Sequence, residues 1–261
     1  MTDRIPDLRT KRLLIKLQEL SIGDAIKLAA MPESQVMATQ RQFLNSVVAS
    51  AEGVEDIGAW TAQEQMLVVG HYLAAVSDVG FVVKNNSGDV VGQFSDYLLM
   101  EQDYTDVIHQ AGELAGDTWH VRHLTGDMLE AIERVIPEFP WLTPYAVWLV
   151  AMMAAQLVVE GQDNPAPGDG GPDDFDHYLV ERMNILLGFT EADFLVLSSF
   201  FFSGKKKLAH FFDMSIHNSG GIVALPKEGA APTVPPVRFR VHSCLSPDAQ
   251  GLVGKSPKFG A

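Results

Sequence analysis

The sequence predicts a mainly α, α+β fold: a helical body, a small β-hairpin with a few short strands, and an extended C-terminal arm. Three observations predict it. Several apolar-periodic segments open on a Ser or Thr where a helix N-cap belongs. Residues 79–94 set two apolar runs, GFVV and VVGQF, around KNNSGD, whose Asn, Ser, Gly and Asp suit a hairpin turn. From residue 219 onward the chain is rich in Gly and Pro and has no helical period.

Taken in order, RLLIKL (12–17) is a short β-compatible run. Ser21, with Asp24 three residues on, opens a helix that must stop at Pro32. A second helix is expected over 33–50, burying Val36, Phe43, Leu44, Val47 and Val48. Thr61 and Glu64 have capping-box spacing, and Met66, Val69, Leu73 and Val76 then form one buried stripe. SDYLLMEQDYTDVIHQ shows no clear period, and a further helix runs from Thr125 to Ile136.

Pro144, just after Thr143, starts a helix through YAVWLVAMMAAQLVV to Val159. That run spans about 22 Å as a helix, short of the ~30 Å hydrocarbon core, and it lacks basic flanks, so it reads as a central helix and no membrane segment. FDHYLVERMNILLG (175–188) reads as a helix closed by Gly188. Thr190 caps another, and Ser203 opens a third through KKKLAHFF. The domain reading follows: 1–160, a mostly helical domain with the hairpin; 161–176, an acidic Gly/Pro linker; 177–218, a helical segment packing on the body; 219–261, the arm.

Charge separates the two ends. The chain has a net charge of −14, which argues against nucleic acid as a partner. Residues 1–203 carry a balance of −19 and residues 204–261 one of +5. A basic tail on an acidic body can pair with a neighbour, or it can lie on its own body. Lys205, Lys206, Lys207, Arg238 and Arg240 are the candidate contact residues. Residues 221–245 are the centre of this question: an assembly arm along a partner, with RFRVHSCL adding a strand to an exposed edge, or lining for the chain's own core.

Catalytic patterns are poorly served. The single cysteine, Cys244, rules out an internal disulfide and reads as a small apolar residue in a reducing cytosol. His242 lies two residues away, which says little about geometry. Met-Thr-Asp with no apolar run behind it does not read as a signal peptide. The five aspartates of 161–176 miss the calcium-loop pattern from either start: position three is Pro165 counting from Asp163 and Gly171 from Asp169. G-x-S-x-G and G-x-G-x-x-G do not occur, and Ser198 and Ser199 sit inside an apolar helix. Glu113, Asp117, Glu130 and Glu133 could be paired carboxylates, but solvated helix faces explain them equally well. HVRH is the one metal-like pattern. On a helix His120 and His123 share a face and Asp117 or His109 could be a third ligand; on a strand the two rings point apart.

Two segments carry a resemblance: TKRLLIKLQELSIGDAIKLAAMPESQ, and WTAQEQMLVVGHYLAAV with the later FSDYLL. They resemble proteins encoded in tail gene clusters of contractile-tailed bacteriophages, baseplate or tail-assembly components. WHVRHLTGDMLEAIERVI and GIVALPKEGAAPTVPPVRFRVHSCL fit the same likeness, which thus covers most of the chain. The resemblance implies a structural role in the virion tail after synthesis in the host cytoplasm, without catalysis, cofactor, metal or small-molecule substrate. Its partners would be other tail or baseplate proteins, or copies of itself. The alternatives are a tail-assembly chaperone absent from the mature virion, and a metal-dependent enzyme built on His120 and His123.

Overall fold

A computed structural model describes residues 5–77, 80–84, 87–99, 102–106, 108–168, 171–241, 245 and 251. The chain opens with strands β1 (Leu8–Arg9) and β2 (Leu14–Leu17), where alternation turns Ile15 and Leu17 inward. Helix α1 (Ile22–Ala29) begins as expected: the Ser21 hydroxyl accepts the Asp24 N–H at 3.1 Å. Helix α2 (Val36–Val47) is shorter than the spacing suggests. Its end is taken by β3 (Val48–Glu52), which pairs antiparallel with β2. Consecutive β-branched Val47 and Val48 favour that switch, and the pairing completes a β1–β2–β3 sheet.

Helix α3 (Ala62–Val76) carries the capping box in full, with Thr61 and Glu64 each satisfying the other's backbone N–H. Burial departs from a single stripe. Every residue from Ala62 to Gly70 is buried, polar ones included, while Val76 is exposed. A helix enclosed on all sides is a central element. The hairpin of β4 (Val82–Lys84) and β5 (Val90–Gln93) forms as expected.

A second hairpin does not follow from periodicity: β6 (His109–Leu114) and β7 (Asp117–Val121). Its turn places both Ala115 and Gly116 at positive φ, 56° and 89°, the conformation a two-residue hairpin turn requires. Thr125 caps α4 (Gly126–Val135), and Thr143 with Pro144 opens α5 (Pro144–Gln156). The apolar run then leaves the helix as β8 (Leu157–Val159), pairing with β7. Among the described residues no helix is long and apolar enough to cross a membrane.

Helix α6 (Pro172–Leu187) absorbs the end of the acidic stretch, so Asp173 and Asp174 lie in its first turn, where the helix dipole favours negative charge. The loop before it is tied down. Asn164 bonds both backbone groups of Val159, and Arg122 donates to the carbonyls of Asn164 and Pro165 at 3.3 and 2.9 Å. Helix α7 (Glu191–Lys207) runs straight through Ser203, where a new start was expected. Gly204 explains why no break is needed: a Cβ there would sit 2.5 Å from Val121 Cγ2, so the glycine lets α7 cross β7 closely.

Strands β9 (Met214–Ile216) and β10 (Ile222–Ala224) form the last hairpin. The described part of 221–241 holds no α-helix, and several of its apolar side chains pack on the chain's own body. Val223, Val234, Phe239, Val241 and Leu245 are buried. Phe239 lies 5.0 Å from Phe81, 5.6 Å from Phe94 and 5.4 Å from Phe212 between ring centres. Tyr97 donates its hydroxyl to Pro235 O at 2.7 Å, and Ala224 and Val237 exchange backbone bonds. Cys244 and His242 lie outside the described residues. One cluster of buried side chains runs from Ile5 to Leu245.

Deleting residues 219–261 should therefore unfold the body. Ile222, Val223, Val234, Phe239, Val241 and Leu245 contribute about 1.5–3 kcal/mol each by burial, together comparable with the ~5–15 kcal/mol net stability of a domain. The truncated chain is expected to aggregate or to lose its cooperative thermal transition by circular dichroism. A truncated chain melting as the full one does would contradict this packing.

Candidate functional site

Among the described residues, the first turn of α3 gathers the densest buried polar chemistry. Thr61, Gln63, Glu64 and Gln65 are each at most 5 % exposed. Buried polar groups need partners, and here each finds them from distant parts of the chain. Arg12, just before β2, grips Glu64 through two parallel bonds, Nε to Oε1 at 3.0 Å and Nη2 to Oε2 at 2.5 Å. Gln63 Oε1 accepts the backbone N–H groups of His210, Phe211 and Phe212 at 2.9, 3.1 and 3.1 Å. Gln65 donates to Ile57 O and accepts from Gln40 Nε2.

His210 is the centre of the cluster. Its Nδ1 lies 2.9 Å from Leu208 O, which can only accept, so Nδ1 carries the proton. Nε2 is then an acceptor, and the Thr61 hydroxyl, 3.0 Å away, donates to it. The same hydroxyl oxygen accepts the Glu64 N–H, so capping and histidine orientation are one arrangement. His123 packs edge-on to His210 with ring centres 5.3 Å apart, and bonds Thr105 O through Nε2 at 2.9 Å. Tyr104 covers both rings, and the Arg12 guanidinium sits 4.4 Å over its face. Burial pushes His210 down to about 4 and lowers His123 as well, so the cluster is neutral near pH 7.

A hydroxyl beside a neutral imidazole resembles a nucleophile with its base. Thr61 is nonetheless only 2 % exposed, and its oxygen already caps α3. His210 is oriented by a carbonyl and not a carboxylate. In this geometry the group works as a latch joining five segments.

The expected site residues are dispersed. His120 stays on β7, paired across to Gln110 and close to His109, whose pKa falls through burial and the neighbouring Lys207 and His120. His123 lies past the strand end, in the latch, so HVRH is split. Asp117 is at the opposite end of β7, paired with Leu114. Among the described residues no three His, Cys, Asp or Glu side chains are grouped so as to hold a metal ion.

The four carboxylates are likewise separate. Glu113 is on β6, and Glu133 caps the bare N-terminus of α2 by accepting from Met37 and Ala38. Glu130 lies 2.8 Å from Arg41 Nε, but out of line with the N–H: an ion pair without a directed hydrogen bond. Arg41 also meets Asp127. Ser198 contacts Met153 Sδ, and Ser199 faces solvent.

The basic candidates divide. Lys205 is half-buried, donates to Met214 O and has its pKa lowered by burial; Arg238 donates to Gly220 O and Ser219 Oγ. Both are committed within the chain. Lys206, Lys207 and Arg240 are exposed. No protein-family model matches the chain, and no curated protein or solved structure is significantly similar to it.

Two outcomes follow for the latch. A histidine whose folded pKa, about 4, lies below its ordinary 6.5 binds fewer protons when folded. Its contribution is therefore complete above pH ~6.5 and is lost as pH falls toward 4, on the order of 3 kcal/mol. Denaturant unfolding between pH 7 and 4 should show that decline, and His210→Gln should flatten it. Thr61→Val removes the cap and leaves Nε2 unpaired, and should cost about 2–4 kcal/mol at pH 7.

Proposed function

We propose that the protein is a non-enzymatic component of a contractile bacteriophage tail, part of its baseplate, acting through protein–protein contacts. The sequence resemblance supports the setting. The observation that carries the contact role is Trp141. It is 68 % exposed, the most exposed of the large apolar side chains described, and Tyr145, the second residue of α5, is also exposed. Aromatic side chains of this kind are the usual anchors of protein interfaces.

Trp141 is also held ready. Its neighbours Phe139 and Leu142 close a hydrogen-bonded turn, through Phe139 N to Ile136 O and Leu142 N to Phe139 O, and Phe139 itself is buried. An anchor on a rigid turn loses little freedom on binding. Lys206, Lys207 and Arg240 add exposed positive charge to a chain of net charge −14, suited to an acidic neighbour.

Mass spectrometry of purified phage particles tests the assignment. A structural component is retained in mature tails; a protein found only on assembly intermediates is a chaperone. Particles that lack the protein yet keep a complete baseplate would overturn the proposal. Trp141→Ala should leave stability within about 0.5 kcal/mol while reducing incorporation into tails, read by quantitative blotting of purified particles.

A further inference from the structure

Helix α7 has a second face that the core does not use. Its exposed positions are 191, 192, 195, 196, 199, 202, 203, 206 and 207, with every residue between them at least partly covered. At about 100° per residue these positions fill one continuous arc of about 160°, centred on Ser199. The spacing 192, 195, 199, 202, 206 alternates three and four, the period of a helix that packs along another helix. Leu195 is 63 % exposed, and Val196 and Phe202 are 38 % each, so the face carries exposed apolar side chains on both sides of Ser199.

The arc is also self-complementary. Reversing the helix about Ser199 maps each exposed position onto another exposed position. In the reversed copy each flank of the arc faces its own kind, so Leu195 comes opposite Phe202, Val196 opposite Ser203, and Ser199 opposite itself. At the ends, Glu191 comes opposite Lys206. The first turn is acidic and the last turn basic, as each helix end favours, so a reversed copy brings opposite charges together at both ends. A parallel copy would instead set Lys206 and Lys207 against their own kind. A small residue at the centre lets two helix axes approach to about 8 Å.

We propose that this face of α7 is an isologous dimer interface, occupied by the same face of a second copy of the chain running antiparallel. The two-fold axis passes by Ser199, Leu195 packs on the partner subunit's Phe202, and Glu191 meets the partner subunit's Lys206. The helix is about 25 Å long, so the interface is at the small end of specific contacts, and dimerisation is expected in the range of about 1–100 μM. This surface is separate from Trp141, and its use does not depend on the phage assignment.

The test uses the purified full-length protein. Sedimentation velocity from about 1 to 500 μM should show a monomer–dimer equilibrium. Phe202→Glu should abolish the dimer without changing the melting temperature of the monomer. Glu191→Lys and Lys206→Glu should each weaken the dimer about 3–10-fold at low salt, and the double variant should return it to within about twofold, because the exchange is symmetric. Ser199→Cys, made with Cys244→Ser, should give a covalent dimer on mild oxidation, since the axis sets the two side chains face to face. A chain that stays monomeric throughout, a dimer that survives Phe202→Glu, or a failure of Ser199→Cys to cross-link would each overturn the proposal. None of these results bears on Trp141 or on the particle measurements.

Discussion

Burying the polar first turn of α3 is the constraint around which the molecule is arranged. Four consecutive helical positions and their cap contain only one apolar residue, Ala62, yet all lie in the interior. An unpaired buried donor or acceptor costs about 1–3 kcal/mol, so the surrounding chain must come to the turn. Arg12 does so beside β2, Gln40 from α2, Ile57 from the preceding turn, and residues 208–212 from beyond α7. The backbone joins in where Ala62 N–H donates to Leu124 O and Gly126 N–H to Trp60 O, stitching the start of α3 to the start of α4. The apolar core then fills the space these bonds define.

Local chemistry was legible in the sequence wherever it is self-contained. Ser21 with Asp24, Thr61 with Glu64, Thr143 with Pro144, and Thr190 are short-range signals, and each marks a real helix start. What escaped depends on partners far along the chain. The β6 strand HQAGEL has little β-branched character and is a strand because β7 and α7 cover it. The ends of α2 and α5 become strands because β2 and β7 offer pairing there. Ser203 looks like a cap, but Gly204 against Val121 is what the position serves. His210 carried no signal of its own. The nearest hint was WTAQEQ, three glutamine or glutamate residues at the head of an apolar helix.

The charge asymmetry and the proline-rich end also acquire a physical meaning. Lys205 and Arg238 point at backbone carbonyls, so part of the basic tail closes loop and helix ends within the chain. Prolines in an extended segment reduce the freedom lost on ordering, which suits a stretch that must lie flat over Phe81, Phe94 and Phe212. The acidic stretch before α6 is similar in kind: loose by composition, but held at Asn164 and Pro165 by Arg122.

The bonds from Gln63 to His210, Phe211 and Phe212 span nearly 150 residues of sequence. On a translating ribosome, which releases the chain N-terminus first, α3 would therefore emerge with its most demanding side chains unpaired. They would remain so until α7 and the segment after it had left the exit tunnel. Loop closure over such a distance is slow compared with helix formation. The N-terminal three-quarters of the chain thus waits as an incomplete intermediate with exposed apolar surface, a state in which nascent proteins are prone to associate with one another or to engage chaperones.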